Sequence, residues 1–344
     1  MPLFDQPQVI HELLRAMYLA FAAFVVAMVL TPVYTHYAFK YKAWKQVRTH
    51  DVTGKEAPVF YKLHAAKHKG NLPTMAGVVT ILAIVIVTVL FNFSRKDTYL
   101  PLFSLVAAGA VGLLDDYINI RGHKFGLKGL RARIKFLLIF LIATVGGLYF
   151  YFKLGYHLLH IPAFGTYSIG WLYIPLFIVV IVSTANAVNL TDGLDGLAGG
   201  LLALAFGAFG IICFFLNLPA TAIFCATVVG AVLAYTWFNI FPARFLMGDT
   251  GAFALGTTLG VIAMLSNSVF VLPIIGAVFV METGSSILQL ASKRFRGKKI
   301  FLSSPIHHHF EAIGWPETKV TMRFWILGAI AAMVGVILAL LGSG

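Results

Sequence analysis

Residues 111–116 read VGLLDD: an apolar run closes on two adjacent carboxylates. An ionised Asp at the centre of a bilayer costs at least ~2.5 kcal/mol, and two side by side also repel each other. The apolar segment that carries the run, 99–114, is long enough to cross a bilayer. The stretch therefore reads as a membrane-spanning helix that ends at a water-facing surface, with both aspartates at its mouth.

The rest of the chain fits that reading. Of 344 residues, 59% are hydrophobic and 11% charged, against about 25% charged in soluble domains. Apolar segments of spanning length run 16–39, 73–91, 99–114, 134–152, 171–187, 197–216, 220–238, 251–266, 270–291 and 323–341. They predict an all-α, polytopic integral membrane protein with about ten transmembrane helices and a single transmembrane catalytic domain over 1–344. An even count puts both termini on one side. Segment 16–39 is longer than a signal-peptide core, is followed by basic residues and shows no cleavage site, so it reads as a retained helix. Cys213 and Cys225 lie in apolar runs without metal-ligand spacing and read as small core hydrophobes.

The formal charge is +13, and its placement matters more than its size. Of 26 Lys and Arg, 22 fall in segments 40–72, 115–135, 239–250 and 292–323; the others are Arg15, Arg95, Lys96 and Lys153. By the positive-inside rule the rich segments are cytoplasmic and both termini external. The predicted cytoplasmic loops are 40–72, 115–135, 186–198, 239–250 and 292–323. Basic loops also grip anionic membrane lipid, and no nucleic-acid partner is needed to explain them.

Five aspartates collect at that face: Asp115, Asp116, Asp192, Asp195 and Asp249. Clustered carboxylates repel unless a cation neutralises them. Oxygen-only ligation shared with substrate phosphates is the Mg²⁺ style. The competing explanation, that each Asp caps a helix N-terminus, does not suit Asp115 and Asp116, which sit at a predicted helix C-terminus where anions are disfavoured. Asp192 and Asp195 have i, i+3 spacing and share a face if helical. Lys69 and Lys135 are snorkelling interface lysines or phosphate contacts. Asn189-Leu-Thr191 matches a glycosylation sequon, but a cytoplasmic position removes that meaning. In Pro305-Ile-His-His-His-Phe-Glu311, consecutive residues cannot all share one face, so at most two histidines meet one ligand and the rest anchor the loop.

DDY at 115–117, NAVNLTDGLDGLAGG at 186–200, MGDTGA at 247–252 and PIHHHFE at 305–311 come in the order and spacing of a known family. The chain resembles the phospho-N-acetylmuramoyl-pentapeptide-transferases, a branch of the polyprenyl-phosphate N-acetylhexosamine-1-phosphate transferases. The triple-His loop distinguishes that branch. The resemblance implies transfer of phospho-N-acetylmuramoyl-pentapeptide from UDP-N-acetylmuramoyl-pentapeptide onto undecaprenyl phosphate, with lipid I and UMP as products. It implies a cytoplasmic active site in the bacterial inner membrane, Mg²⁺ as cofactor, and is compatible with a homodimer. Carried over by motif position, Asp249 is the metal ligand and Asp115 and Asp116 are the catalytic pair. Asn189, Asp192 and Asp195 belong to the nucleotide site, Lys69 and Lys135 to substrate phosphates. Asn239, Gln289, His307, His308 and His309 also line the site. One departure concerns the base: where the family often has a phenylalanine before MGD, this chain has Leu246, with Phe245 one residue earlier.

Two rival classes make different demands. An ion-coupled transporter predicts carboxylates near helix centres, whereas these cluster at one end. The transporter also leaves PIHHHFE without a role; a sister enzyme using UDP-N-acetylglucosamine is the stronger rival, sharing the aspartate motifs, and transfer assays with both nucleotides separate the two.

Overall fold

The computed structural model describes residues 7–44, 72–121 and 129–342. Among them ten helices have fifteen residues or more, all at the expected segments. They are α1 (Pro7–Lys40), α2 (Gly77–Phe91), α3 (Tyr99–Arg121), α4 (Ala132–Leu148), α5 (Tyr173–Thr191), α6 (Leu197–Phe215), α7 (Pro219–Asn239), α8 (Gly248–Leu265), α9 (Ala277–Arg296) and, after the short α10 (Ile306–Ala312), α11 (Glu317–Leu341). Eight are long and apolar enough to cross a membrane by themselves. The exceptions are α2, with 15 residues, and α9, which carries Glu282 and ends on Lys293, Arg294 and Arg296.

Successive helices reverse direction. At one end the starts of α2, α4, α6 and α8 meet the ends of α1, α3, α5 and α7. At the other, the Asn92 amide after α2 donates to the Ala220 carbonyl at the start of α7 at 2.8 Å. That far end also carries the one sheet among the described residues: a hairpin of β1 (Leu158–Ile161) and β2 (Gly165–Ser168), antiparallel with Leu158 opposite Ser168. The His160 N–H donates to Asn267 Oδ1 beyond α8 at 3.1 Å. Strands of four residues carry too few alternations to stand out from an interhelical loop.

The centre of the bundle is α8, in which every residue is buried. Lipid offers no hydrophobic gradient between helices, so close packing through small residues has to hold them together. The sequence GDTGAFALGTTLG supplies those residues. One close approach is at Gly77 of α2, where a Cβ would overlap the backbone N and Cα of Gly251. α1 packs by a similar seam: Leu19, Ala23, Ala27, Thr31 and Ala38 are its buried residues, and Gly230 of α7 lies against the backbone of Ala20.

Several helices outlast their predicted ends. α3 continues to Arg121, so Asp115 and Asp116 lie inside it rather than at its end, and the predicted 115–135 loop begins later. The cause is tertiary. The two carboxylates are engaged by neighbouring elements, and Arg121 is the cation that complements the last turn. α5 likewise runs to Thr191, and much of the predicted 292–323 loop is helical.

The packing makes a direct prediction. Gly77→Ala should lower the thermal stability of the detergent-solubilised protein by about 1–3 kcal/mol, because backbone on both helices must move. Gly207→Ala on α6, where a Cβ meets nothing within 4 Å, should be neutral or stabilising. Equal melting temperatures for the two variants would show that the α2–α8 crossing is not a close one.

Candidate active site

The site begins with a capping problem. The first N–H groups of α8 have no intrahelical acceptors, the N-cap residue Met247 provides no side-chain bond, and the segment is buried. Asp116 of α3 solves it from outside. Its Oδ1 accepts the Asp249 N–H at 3.3 Å, and Oδ2 accepts the Thr250 N–H at 3.0 Å and the Thr250 hydroxyl at 2.8 Å. Gly248 makes the approach feasible: its φ is +75°, and a Cβ there would overlap Asp116 Oδ2. Asp116 therefore spends both oxygens on the helix that carries Asp249.

Asp115, one residue earlier, points elsewhere on α3. Its Oδ1 accepts the Leu130 N–H at 2.6 Å, and its Oδ2 lies 3.2 Å from Lys135 Nζ at the start of α4. The same ammonium donates to Asp249 Oδ2 at 2.8 Å. Carboxylate oxygens of Asp115, Asp116 and Asp249 lie within 4.8 Å of one another, and all three residues are buried. Three carboxylates against one ammonium leave two formal negative charges within the cluster. A divalent cation matches that deficit, and the donor set is hard oxygen only. Lys135 bridging two carboxylates shows where positive charge is favoured, so the residues present fit a metal ion.

The Asp192–Asp195 loop is not helical, so the condition under which the two carboxylates would share a helical face is not met. Asp192 closes α5 half-buried, whereas Asp195 is buried. Asp195 Oδ2 accepts the Ala243 N–H at 3.0 Å, its own N–H donates to Glu317 Oε1 at 2.6 Å, and its carbonyl accepts the Thr321 hydroxyl at 3.2 Å. Asn239 Oδ1 accepts the Gly196 N–H at 3.0 Å, while its Nδ2 donates to the Phe245 carbonyl at 2.9 Å. Asp195 and Asn239 thus tie the loop to the α7–α8 connection and to α11. Asn189 lies half-buried on α5, one turn before that loop.

Gln289 also acts on backbone: its Oε1 accepts the N–H groups of Ile300 and Phe301 at 2.9 and 3.0 Å, and its Nε2 donates to the Phe301 carbonyl at 2.8 Å. The three histidines diverge around α10, as consecutive helical residues must. His307 Nδ1 meets Glu282 Oε2 of α9 at 2.8 Å, His308 Nδ1 meets Glu311 Oε2 at 2.7 Å, and His309 Nδ1 accepts the Leu302 N–H at 3.3 Å. Lys69 lies outside the described residues.

A profile for Glycosyl transferase family 4 matches residues 98–267, from α3 through α8 and so all five aspartates. Full-length relatives extend the match. A phospho-N-acetylmuramoyl-pentapeptide-transferase of Chloroflexus aggregans is 38% identical over 346 residues, covering 96% of this chain and 91% of that protein. One from a Geobacillus species is 40% identical over 323 residues, covering 91% and 94%. The chain belongs to the phospho-N-acetylmuramoyl-pentapeptide-transferase family.

Within this family member, Phe245 does not replace the aromatic missing at 246. It is 2% exposed and packs against the rings of Tyr34, Tyr235 and Phe238, with centroids 5.4, 6.1 and 5.6 Å away. Leu246 pairs by backbone with Pro73 and Ala76. Neither offers a free ring face to a base. The residues with structural prominence and no assigned role in the sequence reading are Thr250, Glu282, Glu317 and Trp325. Of these, Glu282 had a usable signal, a lone carboxylate in an apolar spanning segment.

His308 gives the site a pH dependence. Burial, reinforced by the nearby His307, pushes it down to about 4 from an ordinary value of 6.5. Between those two values the unfolded chain binds the proton and the folded one does not. Stability should therefore fall as pH drops from 6.5 towards 4, by up to about 3 kcal/mol, and level off below. Thermal melts across that window should show the slope, and His308→Gln should flatten it. An unchanged slope in the variant would assign the acid sensitivity to other groups.

Proposed function

We propose that the chain transfers phospho-N-acetylmuramoyl-pentapeptide from UDP-N-acetylmuramoyl-pentapeptide to undecaprenyl phosphate, forming lipid I and UMP at the cytoplasmic face of the bacterial inner membrane. The observation that carries this reading is the near-complete alignment with relatives of that name. The acidic cluster at one end of the bundle supports it. A transporter would place such groups near mid-membrane.

In the reaction an oxygen of the lipid phosphate attacks the sugar-linked phosphorus of the diphosphate. A P–O bond forms there, the P–O–P link breaks, and UMP leaves with the bridging oxygen. The phosphate monoester is largely dianionic at neutral pH, so little base catalysis is required. The difficulty is bringing anions together. Asp249 and Asp115 would hold Mg²⁺, which supplies charge neutralisation on the diphosphate oxygens and on the leaving UMP. Lys135, beside that pair, would contact a substrate phosphate, and Lys69 would take a similar part. Asp116 holds the first turn of α8, and with it Asp249, in place. With both oxygens engaged by α8, it is a poor nucleophile, which favours a single displacement over a phospho-enzyme. Asp192 and Asn189 read the nucleotide, Asp195 and Asn239 hold their loop, and Gln289 with His307 to His309 shapes the side taken by sugar and peptide.

The decisive test is transfer of radiolabel in detergent with Mg²⁺. UDP-N-acetylmuramoyl-pentapeptide should be a substrate and UDP-N-acetylglucosamine should not, and Asp249→Asn should lower turnover by roughly 100-fold or more, the scale of losing a partner in a buried charge cluster. Transfer of N-acetylglucosamine phosphate would overturn the substrate assignment, and normal turnover in Asp249→Asn would remove that residue from the metal.

The membrane orientation has its own check. Cys213 and Cys225 are fully buried, so introduced cysteines report alone. In intact cells Phe164→Cys in the hairpin should react with an impermeant thiol reagent, and Lys40→Cys only after the cells are opened. The reverse pattern would place the site outside.

A further inference from the structure

Glu282 lies on α9 with 0% exposure, facing a histidine side chain that is equally buried. Its Oε2 is 2.8 Å from His307 Nδ1, and its carboxylate also faces the backbone N–H groups of Ile306 and His307 where α10 begins. Where the Glu282 carboxylate is ionised it accepts from Nδ1, which is then the nitrogen that carries hydrogen. In a neutral imidazole the other nitrogen then carries the lone pair. That other nitrogen, Nε2, has a specific neighbour. A Cβ built on Gly193 would overlap it, with Cε1 at 2.8 Å, so the ring edge rests on the backbone of the Asp192–Asp195 loop. Only glycine leaves room for it.

We infer that Glu282 is a positioning residue: it sets the tautomer and orientation of His307, whose ring edge in turn sets the loop that carries Asp192. This rests on the reading of Asp192 as a nucleotide-site residue. Glu282 touches no reacting atom. The energetic logic is that of a metal-site histidine, whose far nitrogen is fixed by a carboxylate; loss of such partners typically costs roughly 10- to 100-fold in affinity or activity. Here the loss belongs in the KM for the nucleotide substrate, with kcat little changed, because the loop lies on the binding side.

A purely structural Glu282, holding the start of α10, makes a different prediction. Glu282→Gln keeps the size but can present an amide N–H to Nδ1, which reverses the tautomer while the fold stands. We expect kcat/KM to fall roughly 10- to 100-fold through KM. The effect should be absent when His307 is already Gln, since the two changes break one chain of contacts. Independent, additive losses would overturn the inference, as would a fall confined to kcat. A second measurement needs no catalysis. In ¹⁵N-histidine spectra, the ring signals lost in His307→Gln should come from Nδ1 protonated and Nε2 unprotonated, and Glu282→Gln should shift them. An Nε2-protonated or doubly protonated ring in the wild type would overturn it. If the wild type shows the expected tautomer but no transfer of the sugar phosphate, the proposed function fails while the Glu282–His307 relation stands.

Discussion

The bundle is organised around a helix with no water-facing surface. α8 is buried from its first residue to its last, so the N–H groups of its first turn cannot turn to solvent. In that position an unmet donor costs on the order of 1–3 kcal/mol. Asp116 meets two of them and the Thr250 hydroxyl besides, while the positive end of the helix dipole favours its charge. With that contact in place, α3 and α8 lie side by side, Asp249 is held on the first turn, and Asp115 and Lys135 have something to converge on. The acidic cluster is the visible edge of a structural requirement.

The same reasoning separates residues that bear on a ligand from residues that bear on the chain. Asp195, Asn239 and Gln289 belong by motif to the site, yet their polar atoms are spent on backbone groups of neighbouring segments. A buried loop has to satisfy its own N–H and C=O groups, and side-chain amides and carboxylates are how this protein does it where no strand or helix is available. Their replacement would disturb the site by releasing loops rather than by deleting contacts to substrate.

The fold was largely legible because bilayer thickness imposes one simple length on every helix, and charge asymmetry along VGLLDD and its counterparts told which ends share a face. What was not legible depends on partners distant in sequence. Nothing near Asp116 says that its acceptors will be used 133 positions away. The continuation of α3 to Arg121 follows from that contact and could not be read locally. The i, i+3 spacing of Asp192 and Asp195 suggested a shared helical face, but α5 ends at Thr191 and Asp192 already leaves helical geometry with ψ +51°. The divergence of the three histidines was foreseeable from geometry alone. The hairpin escaped because two strands of four residues leave almost no periodic trace.

Lys135 has a mechanical side apart from its charge. Apolar helix faces in lipid can slide along one another at little cost, since one set of methyl contacts replaces another. The ammonium at the start of α4 touches Asp249 of α8 at 2.8 Å and Asp115 of α3 at 3.2 Å. A slip of one residue moves a helix about 1.5 Å along its axis, enough to break hydrogen bonds of that length. Three helices, of which only α3 and α4 are consecutive in the chain, are thus indexed to one another by a single nitrogen atom, like a locating pin through stacked plates, and their vertical register is set at the level of the acidic cluster.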